Sequence, residues 1–169
     1  QPRLAEGLGQ PVIIENRGGA SGTLAESMIA KSPPDGYTIM MSADFPPANP
    51  HLFLNLNYDL FRDLAPVSML LRVPLTLIVH PSVAASTVAE FIAHVRSRQG
   101  RFAYATTGTG TSNHLSMVFL KGRTGIEMTH VPYKGGSQAI ADLIGGQVES
   151  SLISITLAAP QVRSGKARA

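Results

Sequence analysis

Apolar residues along this chain fall into short runs divided by turn-forming residues, and the spacing within the runs switches between two periods. Pro11 to Glu15 (PVIIE) is a compact apolar run that ends in the turn Asn16-Arg17-Gly18-Gly19 and reads as a strand. Thr23 and Glu26 have the spacing of a capping box, and Leu24, Met28 and Ile29 share one face of the helix it would start. Pro33-Pro34 stop that helix and Asp35-Gly36 turn the chain, so Tyr37 to Met41 (YTIMM) is predicted as a buried strand. A long Pro- and Asn-rich connection covers 45–63, and Val67 to Val79 holds two extended runs split by Pro74. Thr87 and Glu90 form a second capping box, ahead of Val88, Phe91, Ile92 and Val95 at helical spacing, and Gly100 ends that helix.

From there a unit repeats. Phe102 to Thr106 is a strand, followed by a helix capped by Ser112 or Asn113 that carries Leu115, Val118 and Phe119. Met128 to Val131 is a strand, followed by a helix lined by Ala139, Ile140, Leu143 and Ile144 and stopped at Gly145-Gly146. Val148 to Ile153 is the last strand, and a short helix runs through Val162. Strand, helix, strand and then successive strand–helix units predict an α/β fold of mostly parallel sheets flanked by helices. The Pro-rich change near 66–74 marks the boundary between two units.

Composition narrows the chemistry. The 169 residues include no cysteine, which excludes a disulfide framework, a thiolate zinc site and a thiol nucleophile. Apolar runs such as Leu75 to Val79 are far shorter than the roughly 18 residues of a membrane span. The net charge is +3, but its small groupings, Arg96, Arg98, Arg101 and Arg163, Lys166, Arg168, are scattered, with only Tyr104 near the first as a stacking partner. They read as solvated faces, and no nucleic-acid partner is expected. A mild positive potential favours small anions over small cations. The chain opens with Gln1-Pro2-Arg3-Leu4, without a basic and apolar leader, and stops just after Ser164-Gly165-Lys166, so it is expected to be a fragment with no signal peptide in view.

The most informative loop is Thr106-Thr107-Gly108-Thr109-Gly110-Thr111-Ser112-Asn113, between a strand and a helix start. Its glycines allow a sharp turn and close approach, the helix start offers unpaired N–H groups, and the hydroxyls add neutral donors. That is either an anion cradle without a fixed cation or an ordinary strand-to-helix turn. The sixth position from Gly108 is Asn113, so it is no dinucleotide fingerprint, and no Gly-Lys-Ser/Thr follows, so it is no P-loop. Arg17 to Thr23 is a second glycine-rich loop, read first as a fit to the domain. Ser42 and Asp44 lie just past a predicted strand's carboxyl end, where open α/β sheets bind ligands, or cap a turn there.

The histidines, His51, His80, His94, His114 and His130, have no metal-binding spacing, and no metal or cofactor is expected. His114, in the first helical turn, is expected neutral or paired with ligand, because a positive charge there opposes the helix dipole. Ser112 and His114 suggest a nucleophile pair for an α/β enzyme acting on an acyl or phosphoryl group. Their spacing of two on a helix start points them apart, and no G-x-S-x-G elbow exists. Tyr133 and Lys134 follow another strand, where Lys134 reaches an anion or points into water.

The ordered set of these segments resembles the Bug family, periplasmic substrate-binding receptors of tripartite tricarboxylate transporters. The run PVIIENRGGASGT is similar to the family's ENR-P-G-A-G-G segment. The likeness continues through Pro34 to Thr38, Asn49-Pro50-His51-Leu52, Ala65 to Ser68, Val79 to Val83, ATTGTGTSNHL, His130 to Gly136, Leu143 to Val148 and Ser164-Gly165-Lys166.

The resemblance implies a two-domain, Venus-flytrap, type II periplasmic-binding-protein-like fold, truncated here. Residues 1–72 would be part of domain 1, lacking its first strand and its C-terminal return, and 73–169 most of domain 2. It implies a monomer in the periplasm that captures a small organic carboxylate between its domains, for uptake through a membrane permease of the tripartite type or for sensing, with no catalysis. In such receptors two loops grip a carboxylate through backbone amides and water. The second maps onto Thr107, Gly108, Gly110, Thr111, Ser112, Asn113 and His114, with Ser42, Asp44 and Ser154 as further candidates. Gly18 stands where the family has Pro, Ser21 where it has Gly, and Ile153-Ser154 where it often has an acidic residue or Asn, which leaves the ligand open.

Overall fold

The computed structural model describes residues 2–43, 46–98 and 100–169. One mixed sheet carries the fold: β1 (Leu75–Val79), β2 (Ala103–Thr106), β3 (Thr129–Pro132) and β4 (Ser150–Ser154), in the order β1-β4-β2-β3. β2 runs parallel to β3 and β4, whereas β1 pairs antiparallel with β4, Leu75 opposite Ser154 and Val79 opposite Ser150. Helices α5 (Val88–Ser97) and α6 (Ser112–Thr124) cover one face, and α7 (Gly136–Ile144) and α8 (Ile155–Arg163) the other. The remaining helices are α1 (Pro2–Leu8), α2 (Thr23–Ala30), α3 (Asn49–Leu52) and α4 (Leu60–Asp63). Among the described residues, no helix is long and apolar enough to cross a membrane.

Strand alternation splits the core in two. Val79, Tyr104 and Leu152 point to the α5–α6 side, where Phe91, Val95, Phe102, Met117 and Met128 pack, and Phe91 meets Phe102 edge-on at 5.6 Å. Ile78, Ala105 and Ile153 point to the α7–α8 side, onto Ala139, Ile140, Leu143 and Ala158. Thr87 caps α5 by accepting the Glu90 N–H at 3.2 Å, while the Glu90 carboxylate takes the Ser86 N–H instead of closing a full box.

Several sequence expectations are corrected. Neither 11–15 nor 37–41 forms a strand. Ile13 and Tyr37 are 86% and 88% exposed, and neither segment belongs to the four-stranded sheet, so the apolar pattern of each faces outward. Of the two extended runs in 67–79, only the second enters the sheet. Thr23 and Glu26 form no capping box: Gly22 precedes α2, the Thr23 hydroxyl donates to the Ala20 carbonyl, and Glu26 is buried. On α6, Leu115, Val118 and Phe119 face outward, and Met117 with half-buried Leu120 faces the sheet. Arg123 lies over the Phe119 ring at 5.6 Å.

Candidate functional site

The carboxyl ends of β2, β3 and β4 share one sheet edge, and each leads into a helix, so the N-termini of α6, α7 and α8 gather there. Close packing supports this. A Cβ at Gly136, the first residue of α7, would lie 2.4 Å from Leu157 Cδ1 of α8 and 3.8 Å from Thr107 Cγ2. Because β1 is antiparallel, it begins at this same edge, where the Ile155 N–H donates to the Pro74 carbonyl at 3.0 Å.

The loop from β2 to α6 is ordered by its own side chains. The N-cap of α6 is Thr111, not Ser112 or Asn113. The Thr111 hydroxyl sits between the Gly108 carbonyl, at 2.7 Å, and Asn113 Oδ1. Asn113, 3% exposed, also accepts from the Thr107 hydroxyl at 3.2 Å and the His114 N–H at 3.0 Å. Its amide therefore ties the loop to the first helical turn instead of capping it.

These bonds divide the loop's amides. The Gly108 N–H is taken by Thr106 Oγ1 at 3.3 Å and the Gly110 N–H by His114 Nδ1 at 3.0 Å, so neither glycine amide is available, and Gly110 is buried. Among the described residues, the N–H groups of Thr111, Ser112 and Asn113 have no protein acceptor. They are the donors that a helix start leaves unpaired, at the positive end of the α6 dipole.

His114 is neutral at Nδ1, as its accepting role requires. Burial, then the charge of Lys121, lowers its pKa. Its ring stacks on His130 with centroids 4.1 Å apart, and His130 stacks on Tyr104 at 5.1 Å. Burial above all, then the proximity of His114 and Lys121, pushes His130 down to about 4. Thr106 Oγ1 and His130 Nε2 lie 2.6 Å apart. Among the described residues, no hydrogen bond joins Ser112 to His114, whose Nδ1 accepts the Gly110 N–H.

The N-terminal segment reaches this loop, a contact that sequence reasoning missed. Ser21 Oγ donates to the Thr109 carbonyl at 2.5 Å, and a Cβ on Gly110 (φ +82°) would lie 2.3 Å from Leu52 Cδ1. Gly19, Ala20, Ser21 and Gly22 all have positive φ, Ser21 at +50°. For an L-residue the left-handed region costs about 1–2 kcal/mol, so Ala20 and Ser21 must be held there by surrounding bonds. The Ser21 carbonyl accepts Asn49 Nδ2 at 3.3 Å, and the same amide nitrogen donates to both oxygens of Glu26, at 3.1 and 3.0 Å. The Tyr58 hydroxyl donates to Glu26 Oε2, and burial with this bond raises the Tyr58 pKa. Glu26 and Asn49 are 1% and 0% exposed, so this carboxylate is satisfied wholly by protein donors. The only sequence signal was Ser21 standing in a glycine position.

The other predicted residues are less engaged. Ser42 is exposed, and Asp44 lies outside the described residues. Ser154 is half-buried at the start of α8, its hydroxyl 3.0 Å from that of Thr156. Lys134 is exposed, and Tyr133 donates to Asp142 at 2.6 Å, away from the loop. Two surface grooves, of about 380 and 410 Å³, lie away from the loop, one between α5, α6 and the sheet, the other beside Arg96 and Gly125.

Comparison with known proteins places this geometry among relatives. The family model described as "Tripartite tricarboxylate transporter family receptor" matches residues 1–169. Protein BugT of Bordetella pertussis is 36% identical over 168 residues, covering 98% of this chain and 52% of that protein. The structure of R. palustris Rpa4515 with adipate superposes with a TM-score of 0.90 at 34% identity, covering 99% of this chain and 56% of that one. MatC (Rpa3494) from Rhodopseudomonas palustris, solved with bound malate, gives 0.83 at 31% identity, covering 98% and 56%. The chain spans about half the length of the curated relatives it matches.

Proposed function

The chain belongs to the tripartite tricarboxylate transporter receptor family, and we propose that it supplies the anion-gripping edge of a periplasmic solute-binding receptor. In this reading residues 1–72 contribute to one lobe and 73–169 form most of the other. A small organic carboxylate is held between them. The receptor acts as a monomer and hands its cargo to a tripartite-type membrane permease, or reports its presence.

One observation carries the reading: the N–H groups of Thr111, Ser112 and Asn113 are unpaired at the start of a 13-residue helix, on the edge that the N-terminal segment also reaches. A carboxylate there gains charge-assisted hydrogen bonds and the helix dipole without needing a cation. The sequence Thr106 to Ser116 contains no acidic side chain to oppose it. The hydroxyls of Thr107 and Ser154 would orient the rest of the ligand, and Ser42 would approach from the other lobe. The glycine amides are already used, so the grip falls on the helix start and not on Gly108 and Gly110. Similar receptors are solved with adipate and with malate, so dicarboxylates are the class to test first.

The enzyme reading, with Ser112 as nucleophile and His114 as base, finds no support in the bonding of His114, and the family is described as one of receptors. A thermal-shift panel of di- and tricarboxylates, amino acids and aromatic acids tests the proposal. Ligand at 100 times its dissociation constant should add about 2.7 kcal/mol of stability. No shift with any small anion overturns the receptor reading, and ester or phosphate turnover abolished by Ser112→Ala would replace it.

A further inference from the structure

The peptide that joins Thr109 to Gly110 is gripped from both sides. Its carbonyl accepts Ser21 Oγ at 2.5 Å, from a residue 88 positions away, and its N–H donates to His114 Nδ1 at 3.0 Å. A peptide unit is planar, so fixing its C=O and its N–H fixes the orientation of the whole unit. Ser21 is itself held. Its left-handed backbone is pinned by Asn49 through the Ser21 carbonyl, and Asn49 is anchored on the buried Glu26 carboxylate that Tyr58 also engages. Leu52 closes over Gly110 beside this bond.

Resting on the receptor reading above, we propose that Ser21 is a positioning residue, a clasp that sets the Thr109–Gly110 peptide and, through it, the approach to the unpaired amides of Thr111 to Asn113. It acts through Thr109 and does not touch the anion. The clasp forms only when the N-terminal segment lies against the sheet edge, so it couples the geometry of the ligand loop to the contact between lobes. Glu26, Asn49 and Tyr58 are its footing: they hold the strained turn in the conformation that aims the hydroxyl.

Ser21→Gly isolates the effect, because glycine adopts the left-handed turn without strain while losing the hydroxyl. Amide hydrogen exchange is measured across 107–115 in ligand-free protein, alongside association and dissociation rates for malate and adipate. The variant should raise exchange at Gly110 and its neighbours about tenfold, with a melting temperature within about 2 °C of the parent. Dissociation should accelerate and association stay within about twofold of the parent. Asn49→Ala should reproduce the local rise in exchange. Unchanged exchange in Ser21→Gly overturns the clasp, as does a uniform rise across the chain, which would mark a merely structural residue. A local rise in a protein that binds neither acid supports the clasp and counts against the receptor reading.

Discussion

The imidazole rings of His114 and His130 lie face to face, centroids 4.1 Å apart and planes 21° from parallel. Two rings so placed resist protonation together. His130 is held down to about 4 by burial, then by His114 and Lys121, and His114 is lowered by burial and Lys121. The bond from the Gly110 N–H further ties the loop to neutral His114.

Stability should therefore fall on acidification. Below about pH 6.5 these histidines gain protons in the unfolded chain, while His130 in the folded protein refuses one until about pH 4. The unfolded state binds more protons throughout that window, so the unfolding free energy rises with pH across it. Urea midpoints between pH 4 and 7.5 should show the slope, and His130→Gln should flatten it. Parallel profiles for parent and variant would show that the stack carries none of the dependence.

The buried carboxylate of Glu26 predicts a costly deletion. Glu26→Ala would leave the buried Tyr58 hydroxyl without its acceptor and Asn49 Nδ2 with only the Ser21 carbonyl. The expected loss is about 2–4 kcal/mol, read by chemical denaturation, with Tyr58→Phe costing about 1–2 kcal/mol. A change under 1 kcal/mol in Glu26→Ala would contradict a buried, fully bonded carboxylate.

At Gly110 two penalties coincide. An alanine would stand 2.3 Å from Leu52 Cδ1 and would have to adopt φ +82°. Gly110→Ala should destabilise by about 1–3 kcal/mol. Adding Leu52→Ala should recover the steric part and leave the backbone part. Strict additivity in that double-mutant cycle would place Leu52 out of contact.

A proline can remove a single proposed donor. Ser112 is the first residue of α6, where proline is tolerated, and Thr111 already has the extended backbone (φ −69°, ψ 159°) that precedes proline. Ser112→Pro should keep the melting temperature within about 3 °C and weaken carboxylate binding about tenfold or more, as expected for one hydrogen bond to a charge. Titration calorimetry reads the affinity, and unchanged binding would take the Ser112 amide out of the site.

What the sequence made legible follows from how local each cause is. α7 was readable because its apolar spacing matches the face it buries, and α5 because Phe91 and Val95 do so, although Val88 is exposed; Thr87 caps as expected. β2 was readable as a short apolar run between turns, and β4, expected at Val148 to Ile153, forms over Ser150–Ser154. The runs at 11–15 and 37–41 have the same appearance but do not join the described sheet, and membership of a sheet is a property of neighbours that no run contains. Thr23 and Glu26 have capping-box spacing, yet Asn49 and Tyr58 draw the carboxylate inward. The loop at Thr106 to His114 was placed at a helix start by its glycines and hydroxyls. That His114 occupies the Gly110 amide, and that Ser21 and Leu52 meet the loop, depends on side-chain direction and on contacts far apart in the chain.

The bond from Ile155 to Pro74 has a mechanical consequence. It fastens the thread leading out of residues 1–73 beside the start of α8, so any swing of that segment pivots next to the proposed anion site. A lever hinged there carries its far end through a long arc while its near end barely travels. Slight adjustments at that edge would thus be magnified into larger displacements at the far end of the segment.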